Sequence, residues 1–271
     1  MSASNIAAID VHGHYGCMDR GPSAKLWNEF MSGDSEEVVR RARDVNVRWT
    51  IVSPLTAFMP RGHGDTYAGN IEAAKIVERM PELLQYVVID PRDDRTFLQA
   101  SEMLQRARCV GIKIHPEEHI YPISEFGHRI FEFAAQRKAI ILTHSSEQNS
   151  LASDFVPLAD DFPEVQLILA HLGCGWDGDA THQVRAIERC RNRNMFVDTS
   201  SGSSLKPGLI EWAVREIGAD RVLFGTDTPL YFTAMQRSRI DYAELSEQEK
   251  QLILRDNADM LFNLNGEIFR D

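Results

Sequence analysis

Ile6-Ala7-Ala8-Ile9-Asp10-Val11-His12-Gly13-His14 begins as an apolar run and ends on two histidines. Ile6–Ile9 reads as a buried strand. Side chains on a strand alternate with period two, so His12 and His14 point the same way. Two imidazoles on one side of one strand end can grip a single divalent metal ion. The pair gains weight from the pattern along the rest of the chain. Apolar runs recur at 49–53 (Trp-Thr-Ile-Val-Ser), 84–90, 110–115 (Val-Gly-Ile-Lys-Ile-His), 139–144 (Ala-Ile-Ile-Leu-Thr-His), 166–171 (Gln-Leu-Ile-Leu-Ala-His), 195–199 and 221–226. With 6–12 they make eight strand candidates. Most are continuous in apolar character, as parallel strands covered on both faces are.

Helical patterns fill the intervals. Asp34 with Glu37 three residues on marks a helix start, followed by a stripe of Val38, Ala42 and Val45. Ile71, Ala74, Ile76 and Val77 lead to a stop at Met80-Pro81. Phe126, Ile130, Phe131 and Ala134 form another stripe. Val184, Ile187 and Arg191 mark a helix expected to begin near Asp179. Leu209, Ile210, Ala213 and Val214 mark the next, and the last is expected from about Glu247 to Leu261. Strands alternating with helices over 271 residues predict an α/β fold, a (β/α)₈ TIM barrel forming a single domain over 1–271. An open doubly wound sheet is the alternative. It fits less well, because no Gly-x-Gly-x-x-Gly turn follows the first strand.

Composition narrows the function classes. The formal charge of -11 disfavours a phosphate backbone as partner, so no nucleic acid is expected. No apolar run approaches the ~18 residues of a membrane span, so no membrane partner is expected either. The N-terminus has neither a basic start nor a long apolar core, unlike a signal peptide. The four cysteines, at 17, 109, 174 and 190, form no close pair. They read as reduced thiols of a cytoplasmic protein.

Chemistry collects at the strand ends. His12 and His14 end the first strand, Lys113 and His115 the fourth, His144 the fifth and His171 the sixth. Asp198 and Ser200 end the seventh, and Asp227 follows the eighth. In a barrel these carboxyl ends converge on one face, where catalytic groups sit. Imidazoles with a carboxylate suit Zn²⁺ or another divalent ion with one position left for water. Such an ion lowers the pKa of its water toward neutrality.

These motifs resemble the amidohydrolase superfamily, in the branch that includes aminocarboxymuconate semialdehyde decarboxylase. The resemblance rests on Asp10-Val11-His12-Gly13-His14, Gly111-Ile112-Lys113-Ile114-His115-Pro116, Thr143-His144, Ala170-His171-Leu172-Gly173, Leu223–Pro229 and the closing 257–262, in that order. It implies metal ligands at His12, His14, His144 and Asp227. It also implies that His171 activates water or polarises substrate, and that Asp227 doubles as proton carrier. One divalent metal per chain is implied, with Zn²⁺ the first expectation, and homodimers are frequent in the family. Lys113 either bridges a second metal as a carboxylated lysine or is a structural charge, and His115 is expected to line the pocket. Asp10 is expected as the partner of a histidine's second nitrogen.

The loops at 15–33 and 54–69 carry Tyr15, Trp27, Phe30, Phe58, Arg61 and His63 and are expected to set substrate choice. Arg61 is the candidate clamp for a substrate carboxylate. Trp176 is a candidate pocket wall, and Ser200 with the serines after it a candidate anion contact. The first functional reading is a metal-dependent hydrolase that cleaves an ester, lactone or amide of a small, carboxylated substrate. The alternative is a metal-dependent nonoxidative decarboxylase of a small carboxylic acid. Several decarboxylases of this branch carry a carboxylate in place of the first histidine, and that tilts the reading toward hydrolysis. A non-catalytic binding barrel is the third reading, and its mark would be a broken ligand set.

Overall fold

The structure is a computed structural model that describes residues 5–264. Eight parallel strands run in the order β1 to β8: β1 Ala8–Tyr15, β2 Val47–Pro54, β3 Leu83–Val88, β4 Cys109–Ile114, β5 Ile141–Thr143, β6 Leu167–Leu169, β7 Met195–Asp198 and β8 Val222–Leu223. The last strand is short, and closure onto β1 relies on the residues beyond it. Val11 N–H donates to Phe224 O, Asp227 N–H to His12 O and His14 N–H to Thr228 O. A parallel bridge joins Gly13 to Thr228. The result is the (β/α)₈ barrel expected from the alternation of runs. The single-domain reading over 1–271 includes residues 1–4 and 265–271, which lie outside the described residues.

The helices are α1 Lys25–Phe30, α2 Ser35–Asp44, α3 Thr66–Arg79, α4 Asp94–Met103, α5 Ile123–Arg137, α6 Phe155–Asp161, α7 His182–Arg189, α8 Leu209–Ile217 and α9 Thr233–Asp241, then α10 Glu247–Gln251 and α11 Asn257–Phe262. Asp34 caps α2 by accepting from Glu37 N–H, as the sequence spacing predicts. The helix expected from Asp179 begins at His182 instead. Asp177 and Asp179 accept from backbone N–H groups two residues on and hold a turn there. The final helical stretch is interrupted at Leu252–Asp256 by a π-turn. α1, α4 and α9 are hard to read from sequence for a physical reason. α1 buries no residue, and α4 and α9 bury polar ones such as Thr96, Gln99, Gln236 and Arg237.

Two apolar layers hold the barrel. The larger packs Ile112, Ile114, Leu167, Leu169, Val197 and Val222 against helix residues such as Phe97, Phe131, Val184 and Ile210. The second takes Ile9, Ile51, Leu84, Tyr86, Leu142, Ile168, Phe196 and Leu223 around the ring, with nothing from α2–α9. A filled barrel interior leaves only the carboxyl ends of the strands for chemistry. Among the described residues no helix is long and apolar enough to cross a membrane.

Candidate metal centre and cavity

β1 is bulged between Asp10 and Gly13, where three steps on β1 match two on β2. The bulge interrupts the alternation that would put Asp10 beside the histidines. Asp10 accepts from His12 N–H (3.1 Å), Thr226 N–H (3.0 Å) and Thr226 Oγ1 (2.6 Å). It therefore fixes the backbone that closes the barrel and makes no bond to an imidazole nitrogen. Burial pushes its carboxyl up to about 7, against those hydrogen bonds.

The partner of the His12 ring is Asp198, from the end of β7. His12 Nδ1 lies 2.8 Å from Asp198 Oδ2. Asp198 also accepts from His171 N–H (2.9 Å), Ser200 N–H (3.0 Å) and the Ser200 hydroxyl. Burial opposes its ionisation, but His12 and the His171 N–H hold the carboxyl well below its usual range. Burial, then the Lys113 charge, pull His12 down to about 3, so its imidazole is neutral at pH 7. Its proton goes to Asp198 through Nδ1, and Nε2 is left as an acceptor, 2.9 Å from Lys113 Nζ. His14 is oriented in the same way, with Nδ1 2.9 Å from the Ser53 carbonyl.

The two Nε2 atoms therefore meet, 3.2 Å apart. Asp227 Oδ1 is 3.6 Å from the first and 3.3 Å from the second. These three donors lie within 4.8 Å of one another and are buried. Two imidazole nitrogens and a carboxylate turned toward one point call for positive charge there; the Lys113 ammonium reaches one of them, 2.9 Å from His12 Nε2, and a divalent ion would serve all three. The donor set thus fits a divalent ion. Burial would raise the Asp227 carboxyl, but the imidazoles of His14, His171 and His12 around it hold it at about 2. Asp227 stands at φ 57° and His171 at φ 72°, in the left-handed region. Such strained residues cluster at functional sites.

The other expected residues divide. Lys113 is fully buried with Nζ 2.9 Å from His12 Nε2, and burial pulls its ammonium down to about 8. His171 lies against His12, with ring centroids 5.0 Å apart. Its Nδ1 is 2.9 Å from Ser200 O, and burial keeps its pKa low. His144 is not in the three-donor group. Its Nε2 is 2.8 Å from Glu147 Oε1, its Nδ1 is buried without a partner, and its ring stacks on His115 at 4.3 Å and 10°. Glu147 is a residue that sequence reasoning missed, because it sits in a loop with no period to read.

A cavity of about 280 Å³ opens above these groups, at the lower end of small-ligand sites. His12, His14, His115, His144, His171 and Asp227 line it, with Phe58, Met59, Leu55 and Tyr231 as apolar walls. Arg61 reaches it with its guanidinium paired to Glu118 at 3.0 and 2.8 Å. Ser200 is placed otherwise than expected. It is buried behind the histidines, with its hydroxyl 2.9 Å from His12 Nδ1, and Ser201 lines the cavity instead. Trp176 does not line the cavity and is 59% exposed. Its loop is tied back by a bond from Trp176 N–H to Ser146 O, leaving the indole outside.

The model of the amidohydrolase family matches residues 9–264, and the chain belongs to that family. Gamma-resorcylate decarboxylase from Rhizobium sp. (strain MTP-10005) is 32% identical over 123 residues, 40% of this chain and 37% of that protein. The enzyme of that name from Rhizobium radiobacter is 33% identical over the same shares. The match thus spans well under half the length of these curated relatives. Among solved structures, 2,6-dihydroxybenzoate decarboxylase from Rhizobium superposes with a TM-score of 0.76 at 14% identity, over 96% of this chain and 100% of that one. 5-Carboxyvanillate decarboxylase from Sphingomonas paucimobilis gives 0.74 at 15%, over 96% and 99%. Dihydroxybenzoic acid decarboxylase from Polaromonas sp. JS666, with bound manganese and the inhibitor 2-nitroresorcinol, gives 0.73 at 16%, over 97% and 99%. At these identities the likeness concerns the fold. Family and donor set together support a divalent metal, and the bound manganese leaves Zn²⁺ as an expectation only.

Proposed function

We propose that this amidohydrolase-family chain is a metal-dependent nonoxidative decarboxylase of a small hydroxylated aromatic carboxylic acid. The observation that carries the reading is the 32% identity to a gamma-resorcylate decarboxylase over 123 residues. It reverses the order expected from sequence, where hydrolysis stood first because of His12. The cavity agrees in kind. It is small, walled by Phe58 and Tyr231, and has imidazoles at its floor and an arginine at its side.

His12, His14 and Asp227 are the residues to hold the ion, with His144 the fourth candidate. A divalent ion there would supply positive charge to the oxygen groups of the substrate. His171 is held by Ser200 O through Nδ1, which leaves Nε2 to accept a hydrogen bond from a substrate hydroxyl. Asp227 is the proton carrier. In the reaction the ring carbon gains a proton, the bond to the carboxylate breaks, and its electron pair stays on the ring as CO₂ leaves. The Asp227 carboxylate lines the cavity beside the histidines, where it would take the proton of the substrate hydroxyl and pass it to the ring carbon. The apolar walls keep competing water from the ring.

The test is to load the protein with Mn²⁺ and offer ortho-hydroxylated benzoates in D₂O. Release of CO₂ with one deuteron at the vacated ring carbon is the expected result. If no benzoate yields CO₂ while a lactone takes up ¹⁸O from labelled water, the chain is a hydrolase and this reading is wrong.

A further inference from the structure

We infer that Gln183, which touches neither the cavity nor the candidate metal donors, is a positioning residue that sets the spacing of His144 and His171. The inference deepens the proposed decarboxylation and rests on it for its kinetic test. Gln183 lies in the first turn of α7 and is fully buried. The two protons on its Nε2 face three acceptors, Ser146 Oγ at 2.8 Å, Cys174 O at 2.9 Å and, at the longest reach, Ser145 Oγ at 3.3 Å. Its Oε1 accepts from Gly173 N–H at 3.3 Å. A carbonyl can only accept and a backbone N–H can only donate, so Cys174 and Gly173 fix which way the amide points.

These partners flank the two histidines. Ser145 and Ser146 directly follow His144, and Gly173 and Cys174 follow His171 by two and three residues. Ser145 adds a cross-link of its own, since its hydroxyl donates to Ala170 O at 2.7 Å, the residue before His171. With that proton used, Ser145 Oγ can only accept from Gln183. The two turns are thus joined just after His144 and on both sides of His171.

The turns need such a brace. Ser146 has φ 71° and His171 φ 72°, both in the left-handed region and neither a glycine. Strained backbone of this kind persists only where neighbouring groups over-determine it. The held geometry is an edge-to-face pair of imidazoles with ring centroids 4.9 Å apart. A displacement of about 1 Å in such a pair can cost on the order of 10²-fold in rate.

Glutamate at this position could not donate to Cys174 O and would bury a charge, so the test uses Gln183→Met, which keeps length and volume. The control is Asn194→Leu. Asn194 is equally buried and bonds Ala159 O, Phe162 O and Val165 O, far from the histidines in the hydrogen-bond network. Both variants are expected to lower the melting temperature. Only Gln183→Met should reduce kcat, by about 10²-fold with KM changed less than threefold. In full-length, ¹⁵N-histidine-labelled, Zn²⁺-loaded protein, Gln183→Met should shift the His144 and His171 imidazole signals and leave His14 in place. Unshifted signals with unchanged kcat overturn the inference, and so does an equal loss of kcat in Asn194→Leu. If the wild-type protein decarboxylates nothing, the proposed reaction fails, while the imidazole signals still decide the part played by Gln183. Should Gln183→Met not fold, Ser145→Ala, which removes the Ala170 link and one acceptor, is expected to show the same selective shift at smaller size.

Discussion

The histidine pair on β1 and the pair reached from β4 and β5 share a cavity, yet they are held in different ways. His12 and His14 each have Nδ1 bound to an acceptor, Asp198 and the Ser53 carbonyl, and so turn their Nε2 atoms to one point, where Lys113 Nζ also meets that of His12. His115 and His144 stack face to face instead. His115 Nδ1 accepts a long bond from Glu118 N–H (3.3 Å), and His144 Nδ1 is buried without a partner. The same residue type at the same barrel face therefore does two jobs. The first pair could hold a cation, and the second forms a flat wall whose Nε2 at His144, the fourth candidate ligand, is engaged by Glu147. The acceptor behind the ring makes the difference, because it fixes the tautomer and the direction of the free nitrogen.

The largest effect that would break this contrast comes from the candidate ligands themselves. The double variant His12→Ala, His14→Ala should lose its bound divalent ion and all turnover, yet still melt cooperatively. His115→Ala should keep the ion. Elemental analysis after dialysis checks both, and full occupancy in the double variant would remove the assignment. A smaller effect is expected one step behind. Asp198→Asn keeps the shape but gives the His12 N–H and the Ser200 and His171 N–H groups a poorer acceptor. Metal affinity should fall by about 10–100-fold, as measured by titration calorimetry. An unchanged affinity would mean that His12 is oriented by the barrel alone.

How much of this was legible in the sequence depends on what periodicity encodes. Runs such as Val110–His115 and Gln166–His171 reveal strands and their carboxyl ends, so the barrel and its functional face can be read directly. They reveal where a side chain leaves the backbone and not what waits for its far end. Asp10 shows the limit. Counting by twos places it beside His12, but the bulge between Asp10 and Gly13 turns it to Thr226, and Asp198 takes the place behind the ring from 186 residues away. Trp176 shows a second limit. Following a strand-end histidine by five residues does not aim an indole inward when its own N–H is tied to Ser146 O. Glu147 and Gln183 lie in a loop and in a helix's first turn, where apolar period carries no signal about polar partners.

The wall formed by His115 and His144 can be probed without touching the ligands on β1. Glu147→Gln keeps the size of the side chain and one hydrogen bond to His144, but removes the charge. A hydrogen bond to a charged group is worth about 1 kcal/mol more than one between neutral groups, or roughly fivefold in rate. Turnover is expected to fall by about that factor while metal affinity stays the same. A loss of metal affinity comparable to that of Asp198→Asn would show that the two pairs form one ligand set and that the contrast between them is false.

Arg61 should give the smallest effect, because it belongs to neither pair. Its guanidinium lines the cavity but is 53% exposed, and two of its nitrogens are spent on Glu118, which is itself nearly buried. Glu118 cancels most of the charge that a substrate carboxylate would meet, and solvent screens the rest. Exposed pairs of this kind are worth about 0–1 kcal/mol. Arg61→Ala should therefore raise KM by no more than about fivefold and leave kcat unchanged. At high ionic strength the difference from wild type should shrink further, since screening already weakens what Arg61 offers. A hundredfold fall in kcat would instead place this arginine against the reacting group. The cavity would then bind its substrate from the side of Glu118, not from the histidine floor.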